Sequence, residues 1–268
     1  MEIKHRMRNI SSFRARFLLL AMFLLGNAPF CVAQIAADNA DNDPYPVSGF
    51  LPSDNGGTGF TPWVTLESGT PGSMYTTAAI DEGSYSWGLS GTYALGRGFS
   101  ITLDSGLWSM LAVHDTDNTA FSGFNLRSST DIGGGFGDFE LLRFGMDPAD
   151  NTGIFVSTNS GADYDFIDCG WVGGGGDTIE YAISWNSGGT YSLMVSNLSE
   201  SSVATIFSGN MATGSVAMVG AAVFGATANE SLTFDEYQVI PEPATTALML
   251  MGAGLVCALK RRAQARRH

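Results

Sequence analysis

Between residues 34 and 243 the chain has one histidine, His114, and one cysteine, Cys169. Any Ser-His-Asp or Cys-His catalytic group in that stretch would have to use His114, which is followed at once by Asp115. One His beside one Asp in a turn reads as a solvated polar pair rather than a base with its orienting group. The lone cysteine reads as a small buried apolar residue, and it permits neither an intramolecular disulfide nor a cysteine metal site in this stretch. No G-x-S-x-G elbow, H-E-x-x-H pair or Walker sequence is present. The glycine runs Gly133–Gly135 and Gly173–Gly176 precede no helical segment that could cradle phosphate, and read as flexible loop tips.

Carboxylates are abundant, so two chemistries are weighed. A glycosidase needs two of them facing across a cleft. Asp235 and Glu236 are adjacent and should point to opposite faces of a strand, and the E-x-D-x-x-E strand of jelly-roll glycosidases is absent. Calcium is the second chemistry. Asp115, Asp117 and Asn118 supply oxygens in one presumed turn, as do Asp147, Asp150 and Asn151 in another and Asp163, Asp165 and Asp168 in a third. None has the twelve-residue EF-hand spacing, and Asp and Asn are also ordinary turn formers. The expectation is no cofactor, with the 115–118 turn as the place for calcium if it binds. Among the tryptophans, Trp185 is in phase with Tyr181 and Ile183 and belongs to a core. Trp171, between Cys169-Gly170 and a four-glycine loop, is the candidate for an exposed sugar-stacking aromatic.

The elements that must position these residues are strands. Ile179, Tyr181, Ile183 and Trp185 alternate with smaller or polar residues, then Asn186-Ser187-Gly188-Gly189 leads into Tyr191, Leu193 and Val195. Period two around a Gly-rich turn is a hairpin. Further short segments, among them 85–90, 99–103, 108–114, 121–127, 139–145, 153–158, 202–207, 216–224 and 232–239, recur at roughly ten-residue intervals. No helical spacing appears. The pattern predicts an all-β, antiparallel sandwich of jelly-roll type over residues 76–239, with a closed barrel or short β-helix as the other possibility. Residues 34–75, which hold five prolines between Asp38 and Pro71, read as a mobile lead-in.

Charge separates the ends from the middle. Of the 13 Lys and Arg, five precede residue 17 and five follow residue 259, leaving Arg97, Arg127 and Arg143 between. The net charge of -13 is therefore +4 for residues 1–33, -22 for 34–243 and +5 for 244–268. So acidic a body excludes nucleic-acid binding, which needs a basic stripe.

The basic N-terminus runs into Phe17–Leu25 and then a small-residue exit, Cys31-Val32-Ala33. These are the parts of a secretory signal peptide, residues 1–33, with cleavage between Ala33 and Gln34. Nine apolar residues would rise only about 14 Å as a helix, against roughly 30 Å of hydrocarbon, which argues against a span. Export by the Sec machinery and cutting by signal peptidase follow. At the other end, residues 244–259 form an uncharged apolar run closed by Lys260, Arg261 and Arg262. It reads as a transmembrane helix with the basic tail, 260–268, in the cytoplasm. Pro241-Glu242-Pro243 directly before it holds the backbone extended and short of amide donors, an accessible peptide at a membrane face.

That order of parts over residues 240–265 closely resembles the PEP-CTERM sorting signal of Gram-negative bacteria, a segment also labelled an ice-binding protein C-terminal domain. The resemblance implies recognition of Pro241, Glu242 and Pro243 by an exosortase-type membrane protease. It implies transient anchoring in the inner membrane and passage to the cell surface or an exopolysaccharide matrix. The stretch from Ser84 to Val239, with Ser86-Trp87-Gly88-Leu89 near its start and Phe234-Asp235-Glu236 in its last strand, loosely resembles concanavalin-A-like and laminin-G-like jelly rolls. That likeness is at the level of the fold and licenses no function. The expected function is a non-enzymatic exported surface or matrix protein. A carbohydrate-binding module is the alternative, and a glycoside hydrolase is further off.

Overall fold

The computed structural model of the 268-residue chain describes residues 36–42, 45, 53–80, 84–115, 121–146, 152–158, 164–171, 175–200, 204–225 and 227–240. Its strands are β1 (Ala36–Asp38), β2 (Phe60–Ala78), β3 (Tyr85–Leu103), β4 (Ser105–His114), β5 (Ser122–Arg127), β6 (Glu140–Met146) and β7 (Gly153–Ser157). They continue with β8 (Asp165–Asp168), β9 (Thr178–Asn186), β10 (Thr190–Asn197), β11 (Thr205–Asn210), β12 (Val216–Phe224) and β13 (Ser231–Ile240). Every pairing is antiparallel, and no helix occurs among the described residues.

The strands follow one hydrogen-bonded path, β11-β10-β9-β4-β13-β3-β12-β5-β6-β7-β8, with β1 added on β13 and β2 on β3. Tyr181 of β9 and Phe144 of β6 are six strand spacings apart on that path, about 29 Å if the sheet were flat. Their ring centroids lie 5.6 Å apart. The sheet is therefore folded over into two facing layers, a jelly-roll-like sandwich.

The fork between layers is in β3. Its first half pairs with β13, through Trp87–Ser90, and its second half with β12, through Thr92–Leu103. Both halves keep β2 on the other edge. Gly91 sits at the fork. Its amide donates to the Glu230 carbonyl, and its carbonyl accepts from the Gly225 amide. Its φ is 66°, and a Cβ there would stand 2.1 Å from the Pro71 carbonyl oxygen, so only glycine fits.

Alternation explains the core. On β9, Ile179, Tyr181, Ile183 and Trp185 are buried while Thr178, Glu180, Ala182 and Ser184 are not. Trp108 of β4 meets Phe124 and Phe144 of the other layer edge-on, at 5.8 and 6.0 Å. Tyr237 packs against Trp63, Trp87, Trp108 and Phe234. A smaller cluster of Leu66, Ala94, Phe136, Met218 and Ala222 lies apart from this core.

Residues 34–75 are not a mobile lead-in where they are described. They contribute β1 and most of the 19-residue β2, and Tyr45, Phe60, Trp63 and Leu66 are buried. The alternation of β2 is hidden because its pairing with β3 shifts register three times, at Phe60/Trp63, Thr65/Glu67 and Ser68/Gly72. Each extra residue flips the side chains that follow to the opposite face.

Candidate functional site

The last strand delivers the C-terminal motif. Ile240 ends β13, paired with Leu107, and Pro241 is the next residue. Val239 is held on both edges, by Trp108 of β4 and by Ala36 of β1. Ala36 is the third residue after Ala33, so the start and the end of the sandwich leave from the same end of β13. Pro241, Glu242 and Pro243, the 244–259 run, Lys260, Arg261 and Arg262, and Ala33 and Gln34 lie outside the described residues.

A buried polar cluster fastens β1 in place. The Asp38 carboxylate forms an ion pair with the Arg97 guanidinium of β3, and neither side chain is exposed. Tyr45 donates its hydroxyl to Asp38 and accepts from Trp63 Nε1, the Gly56 amide and Arg97, each at 3.0 Å. Arg97 also donates to the Gly56 and Thr61 carbonyls and to Asn55 Oδ1. Its guanidinium lies over the rings of Phe60 and Trp63, at 4.7 and 5.0 Å. Burial pulls the Arg97 pKa down to about 9 and pushes the Tyr45 hydroxyl up to about 12.

Asp235 makes a second fastening. The ladder to β4 gains one residue between Asp235 and Gln238, and Glu236 takes φ 58°. This bulge lies where the neighbour of β13 changes from β3 to β1. The Asp235 carboxylate accepts from the Ala40 amide, the Ser86 hydroxyl and the Glu236 amide. Burial, working against those three bonds, raises its pKa to about 6.

Other residues with catalytic or binding potential are placed differently from their sequence reading. His114 is not a solvated partner of Asp115. It is fully buried, with Nδ1 2.7 Å from Ser122 Oγ of the opposite layer and Nε2 2.9 Å from the Tyr181 hydroxyl. Burial drives its pKa down to about 3, so it is neutral. Asp115 accepts from the Ser231 hydroxyl, while Asp117 and Asn118 lie outside the described residues. Among the described residues, no group of three or more His, Cys, Asp or Glu is placed to hold a metal ion. The Cys169 thiol donates to the Ile167 carbonyl, and burial raises it to about 11, so it stays protonated.

Trp171 is not an exposed platform. It is 3% exposed and part of the core. Gly170, at φ 69°, turns the chain inward after β8, and the Trp171 amide donates to the Thr152 carbonyl. The four other tryptophans are buried as well. The three arginines of the body are enclosed too. Arg97 and Arg127 have no exposure, and the Arg143 side chain is 13% exposed, beside Glu140. Among the described residues the exposed charge is therefore almost wholly acidic. Sequence reading missed the Asp38–Arg97 pair, whose partners are 59 positions apart. It also missed Tyr164 and Tyr191, which line a cleft between the edge strands.

A family model described as the PEP-CTERM protein-sorting motif matches residues 239–267. No curated protein sequence matches the chain. Among solved structures, the globular domain of T. cruzi calreticulin is similar at 17% identity and TM-score 0.46, over 70% of this chain and 87% of that one. The botulinum neurotoxin serotype D ligand binding domain, in complex with N-acetylneuraminic acid, is similar at 9% identity and TM-score 0.49. That match covers 83% of this chain and 51% of the other, so the chain spans about half the length of the toxin domain. Lectin I-B4 of Griffonia simplicifolia, in its metal-free form, is similar at 10% identity and TM-score 0.41, over 66% of this chain and 98% of that one.

Proposed function

Starting from the PEP-CTERM protein-sorting motif at residues 239–267, we propose that this chain is a non-enzymatic exported protein of the cell surface or its exopolysaccharide matrix. The motif implies exosortase-dependent export to the cell envelope or surface. In the fuller reading, the Sec machinery exports the chain and signal peptidase cuts between Ala33 and Gln34. The 244–259 run then holds the body transiently at the inner membrane, stopped by Lys260, Arg261 and Arg262. An exosortase-type protease reads Pro241, Glu242 and Pro243 and releases the body outward.

The observation that carries this reading is the pairing of Ala36 with Val239. It puts residue 36 and residue 239 at one end of β13, which supports a reading in which both cuts are made at one membrane face. The non-catalytic reading is supported by the state of His114 and Cys169, each buried or half-buried and held protonation-inert near neutral pH.

The test is the double variant Pro241→Ala with Pro243→Ala, followed by cell fractionation and intact-mass measurement. An uncleaved, inner-membrane-retained form is expected. An unchanged mature mass and location would overturn the sorting reading.

A further inference from the structure

The two layers share the β2–β3 fork at one side and end on the other in β11 and β8. Between these two edges is a cleft of about 420 Å³ whose walls include Thr158, Tyr164, Asp165, Tyr191, Phe207 and Asn210. That is within the roughly 300–1,000 Å³ of small-ligand sites. Its make-up is amphipathic, two tyrosines and a phenylalanine set among a carboxylate, a carboxamide and a hydroxyl.

The tyrosines are placed to offer ring surface. Tyr164 is 63% exposed and is buttressed edge-on by Phe155, with centroids 6.0 Å apart. Tyr191 lies along Gly209 of β11. A Cβ there would stand 2.9 Å from the Tyr191 hydroxyl oxygen and 3.0 Å from its ring, so the glycine makes room for the tyrosine to lie down. A second cavity, of about 430 Å³, flanks Tyr191 and is also walled by Asn186 and Thr190. The two cavities share Tyr191, Ser208, Gly209 and Asn210, and the one of about 420 Å³, between β8 and β10–β11, is the binding trough.

A ligand with apolar ring faces and a girdle of hydroxyls matches this surface, because aromatic faces take the C–H side and the polar groups take the hydroxyls. Charge narrows the class further. Asp165 lines the trough, and all three arginines of the body are enclosed elsewhere. A polyanion would meet repulsion and no cation. We propose that the trough between β8 and β10–β11 binds a neutral polysaccharide, with Tyr164 and Tyr191 stacking on sugar rings and Asp165 and Asn210 taking sugar hydroxyls. The source of that glycan rests on the matrix reading above, whereas the binding itself is tested on purified protein and can fail independently of sorting.

The experiment is affinity electrophoresis of the mature protein in gels holding soluble neutral glucan, neutral galactomannan, the producing cell's own exopolysaccharide, or polygalacturonate. Retardation is expected with at least one neutral polymer and not with polygalacturonate. Tyr164→Ala and Tyr191→Ala should each weaken that retardation at least tenfold. Tyr191→Phe, which keeps the ring, should retain most of it and guards against loss by misfolding. The proposal is overturned if no neutral polymer retards the protein, if Tyr164→Ala is retarded as strongly as wild type, or if polygalacturonate retards it equally.

Discussion

Asp38 of β1 and Arg97 of β3 form an ion pair with neither side chain exposed to solvent. Through Tyr45, Trp63 and Gly56 it joins the start of the sandwich to the strand that links its layers. Removing one partner of a buried pair leaves the other charge uncompensated, which costs about 3–5 kcal/mol. Arg97→Ala or Asp38→Ala should lose that much in denaturant unfolding. Replacing both with apolar residues of similar volume should recover only part of it, since the two desolvation penalties disappear together but the Gly56 and Thr61 carbonyls lose their donor.

The Asp235 carboxylate and the His114 imidazole oppose each other in pH dependence. Asp235 rises from its ordinary 3.8 to about 6. The folded state therefore holds its proton more tightly, and stability from this group, full below 3.8, is lost as pH rises to 6. His114 falls from 6.5 to about 3. Its contribution is full above 6.5 and lost as pH falls towards 3. Between about pH 4 and 6 the two slopes have opposite sign. Asp235→Asn should unmask the His114 slope, so that the midpoint of urea unfolding climbs with pH through that window. A variant whose profile is superimposable on wild type would refute the assignment.

Trp171 and Tyr164 should separate stability from binding. Trp171→Ala empties a core position and should destabilise by about 3–5 kcal/mol. Tyr164, being largely exposed, should leave the melting temperature within a few degrees when changed to Ala. Thermal denaturation of the two variants side by side checks this.

Release of the tail should leave the sandwich intact. Ending the chain after Ile240 removes nothing from β13, so the unfolding free energy should stay within about 0.5 kcal/mol of the mature protein. Ending it after Gln238 deletes the buried Val239, which pairs with both Trp108 and Ala36, and should cost at least about 2 kcal/mol. Equal stability of the two truncations would show that the strand does not need its last residues.

The sequence by itself determined what depends on local pattern. The β9–β10 hairpin, the 216–224 strand and the 232–239 strand were legible because period-two burial and glycine turns are written in neighbouring residues, and each forms within a residue or so of its expected bounds. The PEP-CTERM motif was legible because it is read as a linear peptide. Tertiary structure decided the rest. Three register shifts erase the alternation of β2, and β8 is only four residues, mostly exposed, so neither leaves a pattern. Trp171 sits among polar and glycine neighbours that signal surface, and His114 leads straight into an Asp-rich turn, yet both are covered by strands distant in the chain. The Asp38–Arg97 pair, the meeting of Ala36 with Val239 and the trough between β8 and β11 are contacts made only when the sheet folds over on itself. No local periodicity encodes them, because the free energy that selects them comes from burying rings of the two layers against each other.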